Sequence, residues 1–285
     1  GIGFRRGPHD YSIMTGGIVV YPRIVAAETR ELTRRSQLKS GLAAFDALLG
    51  GGIEEGSSTL ISGPPGTGKS SLAVQFVKAV TGQGHRAAMF LFEESFNTLL
   101  NRSIGIGMDL QEPYESGLLT VHQIDPAEMS PGEFTHAVCR AGDAGAKVIV
   151  IDSLNGYLNA MPEANFLTTH LHEVLTYLGQ RGVVTFLVGV QQGIVGAMTT
   201  GIDVSYMADN VLILRYFEAR GSVKKAISVF KKRGSAHETT LRRFDITADG
   251  IQVGPVLSDF QGILTGVPTL VGAAGDDNGA SGTSV

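Results

Sequence analysis

The residues best suited to chemistry are those of "GPPGTGKS", Gly63 to Ser70, between an apolar run, "STLIS", and the helical stretch "SLAVQFVKAV". Gly-x-x-x-x-Gly-Lys-Ser is the spacing of a phosphate-binding loop. Gly63, Gly66 and Gly68 free the backbone to aim several N–H groups at one anion, and the helix N-terminus that follows adds the positive end of its dipole. Pro64, Pro65 and Thr67 complete the loop, Lys69 is expected to neutralise the terminal phosphates, and the Ser70 hydroxyl to ligate Mg2+. A plain glycine turn before a helix is the competing reading.

A second component is "KVIVIDS", an apolar strand ending in Asp152, which places a carboxylate at the sheet edge where the loop also lies. Asp152 is expected to hold Mg2+ through water; a helix cap is its alternative role. Hydrolysis also needs a group that orients water, and "FLFEES" offers Glu93 and Glu94 at the end of another apolar run. Adjacent carboxylates raise each other's proton affinity, an unfavourable way to finish a buried strand. A catalytic role is therefore expected for both, with Glu93 also a candidate for the metal, and a solvated strand end is the alternative. The same loop occurs in AAA-type ATPases, whose glutamate directly follows the aspartate. Here Ser153 follows Asp152, and a base on a separate strand points to a RecA-type arrangement.

Such a site needs several strands ending at one edge. Strands are expected at "STLIS" (Ser58 to Ser62), "AAMFLF" (Ala87 to Phe92), "LLTVHQI" (Leu118 to Ile124), "KVIVID" (Lys147 to Asp152) and "VVTFLVGV" (Val183 to Val190), with amphipathic stretches between them. The pattern is that of an α/β fold with a mostly parallel central sheet flanked by helices. After "NVLILRYF" (Asn210 to Phe217), the runs "KAISVFK", "TLRRFDIT" and "GIQV" are separated by short turns, which predicts antiparallel pairing at the sheet's far edge. The domain is expected over 36–270. The glycine-rich end, 271–285, reads as a disordered tail.

Composition is that of a globular chain: 285 residues, 43% hydrophobic and 18% charged. A net charge of -4 gives no global attraction to a polyanion. Cys139 is the single cysteine, which fits a reducing cytoplasm, and no targeting leader is visible. The strongly apolar run Val183 to Val190 is far short of the ~20 residues of a membrane helix.

"YSIMTGGIVVYP" (Tyr11 to Pro22) and "FDITADGIQVGP" (Phe244 to Pro255) share an order of aromatic, x, Ile, three residues, Gly-Ile, x, Val, x, Pro. Each reads as two strands joined by a glycine turn, and a basic-Gly-His prelude precedes each. Residues 1–35 are accordingly expected to be the last hairpin and linker of a preceding repeat domain, with two similar hairpins arising by chance as the alternative.

Together, "LKSGLAAFDALLGGGIEEGSSTLISGPPGTGKSSLAVQF", "FEES", "VIVIDSL", "ADNVLILRYFE" and "VFKKRGSAHE" resemble a RecA-like domain of the KaiC family of clock ATPases and their bacterial relatives. The similarity runs from about Leu38 to about Leu270, and "FQGILTGVPTL" resembles the segment closing the family's C-terminal domain. The resemblance implies ATP and Mg2+, a homo-hexameric ring with nucleotides between subunits, regulatory protein partners and a signalling or clock-like role. It carries ATP binding onto Gly66, Thr67, Gly68, Lys69, Ser70 and Ser71, and metal or water activation onto Ser70, Glu93 and Glu94. Ile106 stands where the family stacks a residue on the base, so base contact is expected to be looser than with an aromatic.

From a neighbouring subunit the resemblance suggests Lys231, Lys232, Arg233, Gly234, Ser235 and His237. A strand tip bearing Lys-x-Arg projects cations rigidly, and the chain's own loop already has Lys69, so Arg233 is expected to act as an arginine finger on the next subunit's ATP. A solvated basic tip is the alternative. The family's autophosphorylated Ser-Thr pair corresponds to Ser205 and Tyr206; the threonine is lost, Ser205 is left as the candidate phosphosite, and a plain polar residue on a loop is its alternative role. Gln191 and Gln192 end a strand where RecA-like proteins carry a phosphate sensor.

Two rivals stand beside this reading: a DNA-binding recombinase or helicase, and a module that holds ATP without turning it over. Val148 to Gln180 and Gly182 to Leu214, which include the loops such recombinases use on DNA, contain neither Lys nor Arg, so nucleic acid is not expected as a partner. The glutamate pair argues against the second rival.

Overall fold

The computed structural model describes residues 9–24, 36–125, 127–159, 164–190, 205–265 and 268–270. First come a hairpin, β1 (Asp10–Met14) and β2 (Gly17–Tyr21), and a small ribbon, β3 (Gln37–Leu38) with β4 (Ile53–Glu54), enclosing α1 (Ala43–Leu48). Strands and helices then alternate: β5 (Ser58–Gly63), α2 (Lys69–Thr81), β6 (Arg86–Leu91), α3 (Phe96–Gly105), α4 (Gln111–Glu115), β7 (Leu119–Gln123), α5 (Pro131–Asp143), β8 (Ala146–Asp152), α6 (Leu154–Asn159), α7 (Ala164–Gln180) and β9 (Val184–Val190). Among the described residues only strands follow: β10 (Asn210–Ala219), β11 (Ser222–Lys232), β12 (Arg242–Thr247), β13 (Gly250–Val256), β14 (Phe260–Gln261) and β15 (Thr269–Leu270).

Among the described residues the main sheet has nine strands in the order β13-β12-β11-β10-β5-β9-β8-β6-β7. From β10 to β7 every pairing is parallel; from β10 to β13 every pairing is antiparallel. This is the α/β architecture expected, and the strands depart from their expected bounds chiefly at their ends. The largest extension is in the β10–β11 hairpin, which continues to a tight turn at Arg220 and Gly221 because Glu218↔Val223 and Ala219↔Ser222 still pair.

Continuous apolar runs arise because helices cover both faces of the parallel part. Successive side chains alternate, so Val148 and Val150 of β8 pack with Val184, Phe186 and Val188 on one face, and Ile149 and Ile151 with Ala88, Phe90 and Leu187 on the other. The first face receives Leu72, Phe76 and Val80 of α2, and the Phe76 ring lies 4.6 Å from that of Phe186. The second receives Phe134 and Val138 of α5 and Leu171, Val174 and Leu178 of α7. Among the described residues no helix is long and apolar enough to cross a membrane.

The two hairpins of the sequence repeat have the same register. Tyr11↔Val20, Ile13↔Ile18 and Met14↔Gly17 in the first correspond to Phe244↔Val253, Ile246↔Ile251 and Thr247↔Gly250 in the second. Their surroundings differ. Phe244 and Ile251 are buried in the core with Ile246 and Val253 packed against it, whereas Tyr11, Ile13, Ile18 and Val20 are each more than half exposed. The first hairpin is tied to α5 by polar contacts: Asp10 Oδ2 accepts from the Gly132 N–H at 2.6 Å and His136 Nε2 lies 2.8 Å from the Pro22 carbonyl. Gln191, Gln192, the 271–285 tail and the basic prelude before His9 lie outside the described residues.

Candidate nucleotide site

β5 leads into the Gly63–Gly68 loop, which turns directly into α2. The Thr67 hydroxyl donates to the Pro64 carbonyl at 2.8 Å, closing the loop on itself. Gly68 precedes the helix with φ +106 and gives no side-chain cap, so the first-turn N–H groups of α2 are left for a ligand. Only glycine fits here: a Cβ on Gly68 would come 2.3 Å from Ile246 Cδ1, and one on Gly66, at φ +76, 2.7 Å from Tyr216 Oη.

Lys69 is buried and donates to the Pro64 carbonyl at 2.8 Å. Burial pushes its ammonium down to about 8, and the charges of Asp152 and Glu93 oppose that shift. Asp152, at the end of β8, has its proton affinity raised by burial; a hydrogen bond from Ser70 works the other way. Its Oδ2 is buried without a hydrogen-bond partner. A buried carboxylate oxygen left open beside a hydroxyl is a donor set that suits a hard divalent cation.

A cleft of about 830 Å³ gathers the loop residues Gly66, Gly68, Lys69, Ser70 and Ser71 with Glu93, Glu94 and Asp152. Parallel pairing of Phe90↔Ile151 and Leu91↔Asp152 brings the glutamate turn and the aspartate to the same edge. Glu93 is exposed toward the cleft; Glu94 is half-buried and bonded to Arg102. Ile106 is half-buried and lines the cleft. Thr98, Arg102, Lys225 and Ile246, which also line the cleft, are not among the residues singled out from the sequence. Thr98, Arg102 and Ile106 recur at a four-residue spacing, which places them on one face of a helix, and that signal was legible. Lys225 and Ile246 come from antiparallel strands whose return to the loop depends on sheet order.

The basic tip lies elsewhere. Asn210↔Thr59 and Ile213↔Ser62 pair in parallel, so the start of β10 is at the sheet edge opposite the phosphate loop, and Asn210↔Lys232 places the end of β11 there too. The three cations have different partners. Lys232 is a correction: its ammonium is fully buried, donates to the Gly52 carbonyl at 2.8 Å and pairs with Glu54 at 3.1 Å, so it does not face outward. Ser235 is also turned inward, its hydroxyl donating to Glu54 Oε1, and Gly234 packs against the same glutamate. Lys231 donates to the carbonyls of Ser205 and Ala208 at 2.9 and 2.7 Å. Arg233 is more than half exposed, with contacts to the Tyr206 carbonyl at 3.0 Å and to Asp209 at 3.7 Å. His237 is half-buried beyond the tip.

The family model described as "ATPase: KaiC" matches residues 38–258. The chain is 30% identical to the circadian clock oscillator protein KaiC of Parasynechococcus marenigrum over 273 residues, covering 93% of this chain and 52% of that one. It is 29% identical to the protein of the same name from Prochlorococcus marinus, covering 92% and 53%, and 29% identical to that of Synechococcus elongatus, covering 95% and 52%. The chain thus spans about half the length of the curated relatives it matches.

Proposed function

From the premise that this chain belongs to the KaiC ATPase family and is an ATP-binding ATPase domain of RecA type, we propose that it hydrolyses ATP with Mg2+ in the cleft between the phosphate loop, Asp152 and the glutamate pair. The observation that carries this is the partnerless Asp152 Oδ2 beside Ser70, in the same cleft as Lys69, Glu93 and Glu94. Ser70 and Asp152 would hold the cation, with Glu93 as a further candidate; when bound, it offsets phosphate charge. The loop N–H groups and Lys69 orient the triphosphate, and a carboxylate of the glutamate pair accepts a proton from the attacking water. Phosphate release measured with and without Mg2+ tests the reading. Lys69→Ala is expected to abolish ATP binding, and unchanged affinity in that variant would falsify the site.

The second element of the proposal is a ring, hexameric as the resemblance implies, with each nucleotide between two subunits. The tip's place at the edge opposite the loop supports it, since Arg233 and Lys231 can then serve only another copy's phosphates. Molecular mass by light scattering, with and without ATP and Mg2+, checks the assembly. Autophosphorylation at Ser205 is a finer reading, supported by one contact: the Ser205 carbonyl accepts from Lys231, so the residue lies next to the basic tip proposed to meet another copy's phosphates. Mass spectrometry after incubation with ATP decides it. A clock-like regulatory role is proposed from the relatives' name, circadian clock oscillator protein. We also assign residues 1–35 to the end of a preceding unit, supported by the shared hairpin register and the uncovered face of Tyr11, Ile13, Ile18 and Val20.

A further inference from the structure

Glu93 and Glu94 are adjacent in sequence but differently engaged. The Glu93 carboxylate is exposed toward the cleft and its charge acts on the Lys69 ammonium, so it stands at the end where the terminal phosphate belongs. Both oxygens of Glu94 are occupied. Arg102 Nε donates to Oε1 at 3.0 Å and Nη2 to Oε2 at 2.8 Å, a bidentate pair, while Nη1 donates to the Ser71 hydroxyl at 2.8 Å. One guanidinium therefore joins the acidic turn after β6 to the first turn of α2, two residues beyond Lys69.

Isolated surface ion pairs contribute little. This one is not isolated: Arg102 and Glu94 are only 30% and 23% exposed, the geometry is forked, and the third arm reaches the phosphate-loop helix. Arg102 sits on α3, whose N-cap, Ser95, accepts from the Thr98 N–H at 3.2 Å. The capped helix fixes the arginine and the arginine fixes the glutamate. We infer that Arg102 is a positioning residue for hydrolysis: it holds Glu94 as an immobile, paired carboxylate and so leaves Glu93 as the base.

The inference rests on the reading of this cleft as a hydrolytic ATP site. Water oxygen forms a bond to the γ-phosphorus, and the bond from phosphorus to the β–γ bridging oxygen breaks with its electron pair going to ADP. The water proton passes to Glu93, and the products are ADP and phosphate.

The test compares Arg102→Ala, Arg102→Lys, Glu94→Ala, Glu93→Gln and the double variant Arg102→Ala/Glu94→Ala in the full chain, with turnover and equilibrium ATP affinity measured separately. Arg102→Ala is expected to lower kcat by about 10 to 10²-fold, as a misplaced catalytic group does, with a much smaller change in ATP affinity. Arg102→Lys recovers only part, because an ammonium cannot fork onto a carboxylate. The double variant is no slower than the slower single, since both break one contact, and Glu93→Gln loses the full ~10² to 10⁴-fold of base assistance. Unchanged turnover in Arg102→Ala, an additive double variant, or loss of affinity with kcat intact overturns the inference. If Arg102→Ala does not fold, Arg102→Lys with Glu94→Ala decides in the same terms. Absence of phosphate release from the unaltered chain sinks the underlying hydrolytic reading, a result distinct from all of these.

Discussion

At the scale of single residues, Lys69 gives the site a pH dependence whose sign follows from its burial. The free ammonium is pushed down to about 8, whereas a bound triphosphate favours the charged form. Below about 8 the lysine is already protonated and contributes no slope. Above it, each binding event must take up a proton, so ATP affinity is expected to fall by about tenfold per pH unit through this group. Calorimetric titrations in buffers of different ionisation enthalpy check it: proton uptake absent at pH 7 and growing above pH 8 is expected, and a constant proton count across that range contradicts it. Lys232 and Arg233 provide a second contrast. Removing the buried Lys232 ammonium strands Glu54, whose Oε2 has no hydrogen-bond partner, so Lys232→Ala is expected to cost about 3 to 5 kcal/mol. Arg233→Ala, at an exposed position, is expected to leave the melting temperature nearly unchanged while turnover falls. Equal melting temperatures for the two variants would mean that Lys232 carries no structural charge.

Elements were legible where their pattern was local. The continuous apolar runs of β5, β8 and β9 and the glycine-rich loop are written in consecutive residues, and the antiparallel order of β10 to β13 followed from short turns. What escaped depends on tertiary register. Which of three successive cations points inward is decided by the β11 edge, where Val211 pairs with Lys231 and Leu212 with Val229, leaving Phe230 as an unpaired bulge that shifts the alternation. Arg102 lies eight residues beyond Glu94, and only the packing of α3 brings the two together. The repeated hairpins show the reverse case, one local pattern in two environments. Ile251→Lys in β13 puts a charge into the core and is expected to destabilise by more than about 4 kcal/mol. Ile18→Lys, the corresponding change in β2, falls on an exposed face, and a thermal shift within about 0.5 kcal/mol of no effect is expected. Comparable losses of stability in both variants would mean that the first hairpin's apolar face is covered within this chain.

For the whole molecule, sheet topology sets what one copy can do alone. Because β10 runs parallel to β5, the tip at Arg233 and the phosphate loop finish at opposite edges, and no local rearrangement of one domain brings them together. A chain that needs both must borrow one from a neighbour. Arg233→Ala protein and Glu93→Gln/Glu94→Gln protein are each expected to be nearly inactive, by the ~10² to 10⁴-fold assigned to a missing base and by the ~10³-fold or more assigned to a missing arginine finger. If the proposed ring forms, mixed assemblies contain interfaces that pair an intact glutamate turn from one subunit with an intact Arg233 from the next. Those interfaces carry a complete site, so phosphate release is expected to recover on mixing and to peak near equal proportions. Subunit exchange is followed independently by energy transfer between differently labelled populations. If exchange occurs and the mixture remains as inactive as its parts, Arg233 does not act across the interface. Its contacts with the Tyr206 carbonyl and Asp209 would then describe its whole role, the bracing of the turn that leads into β10.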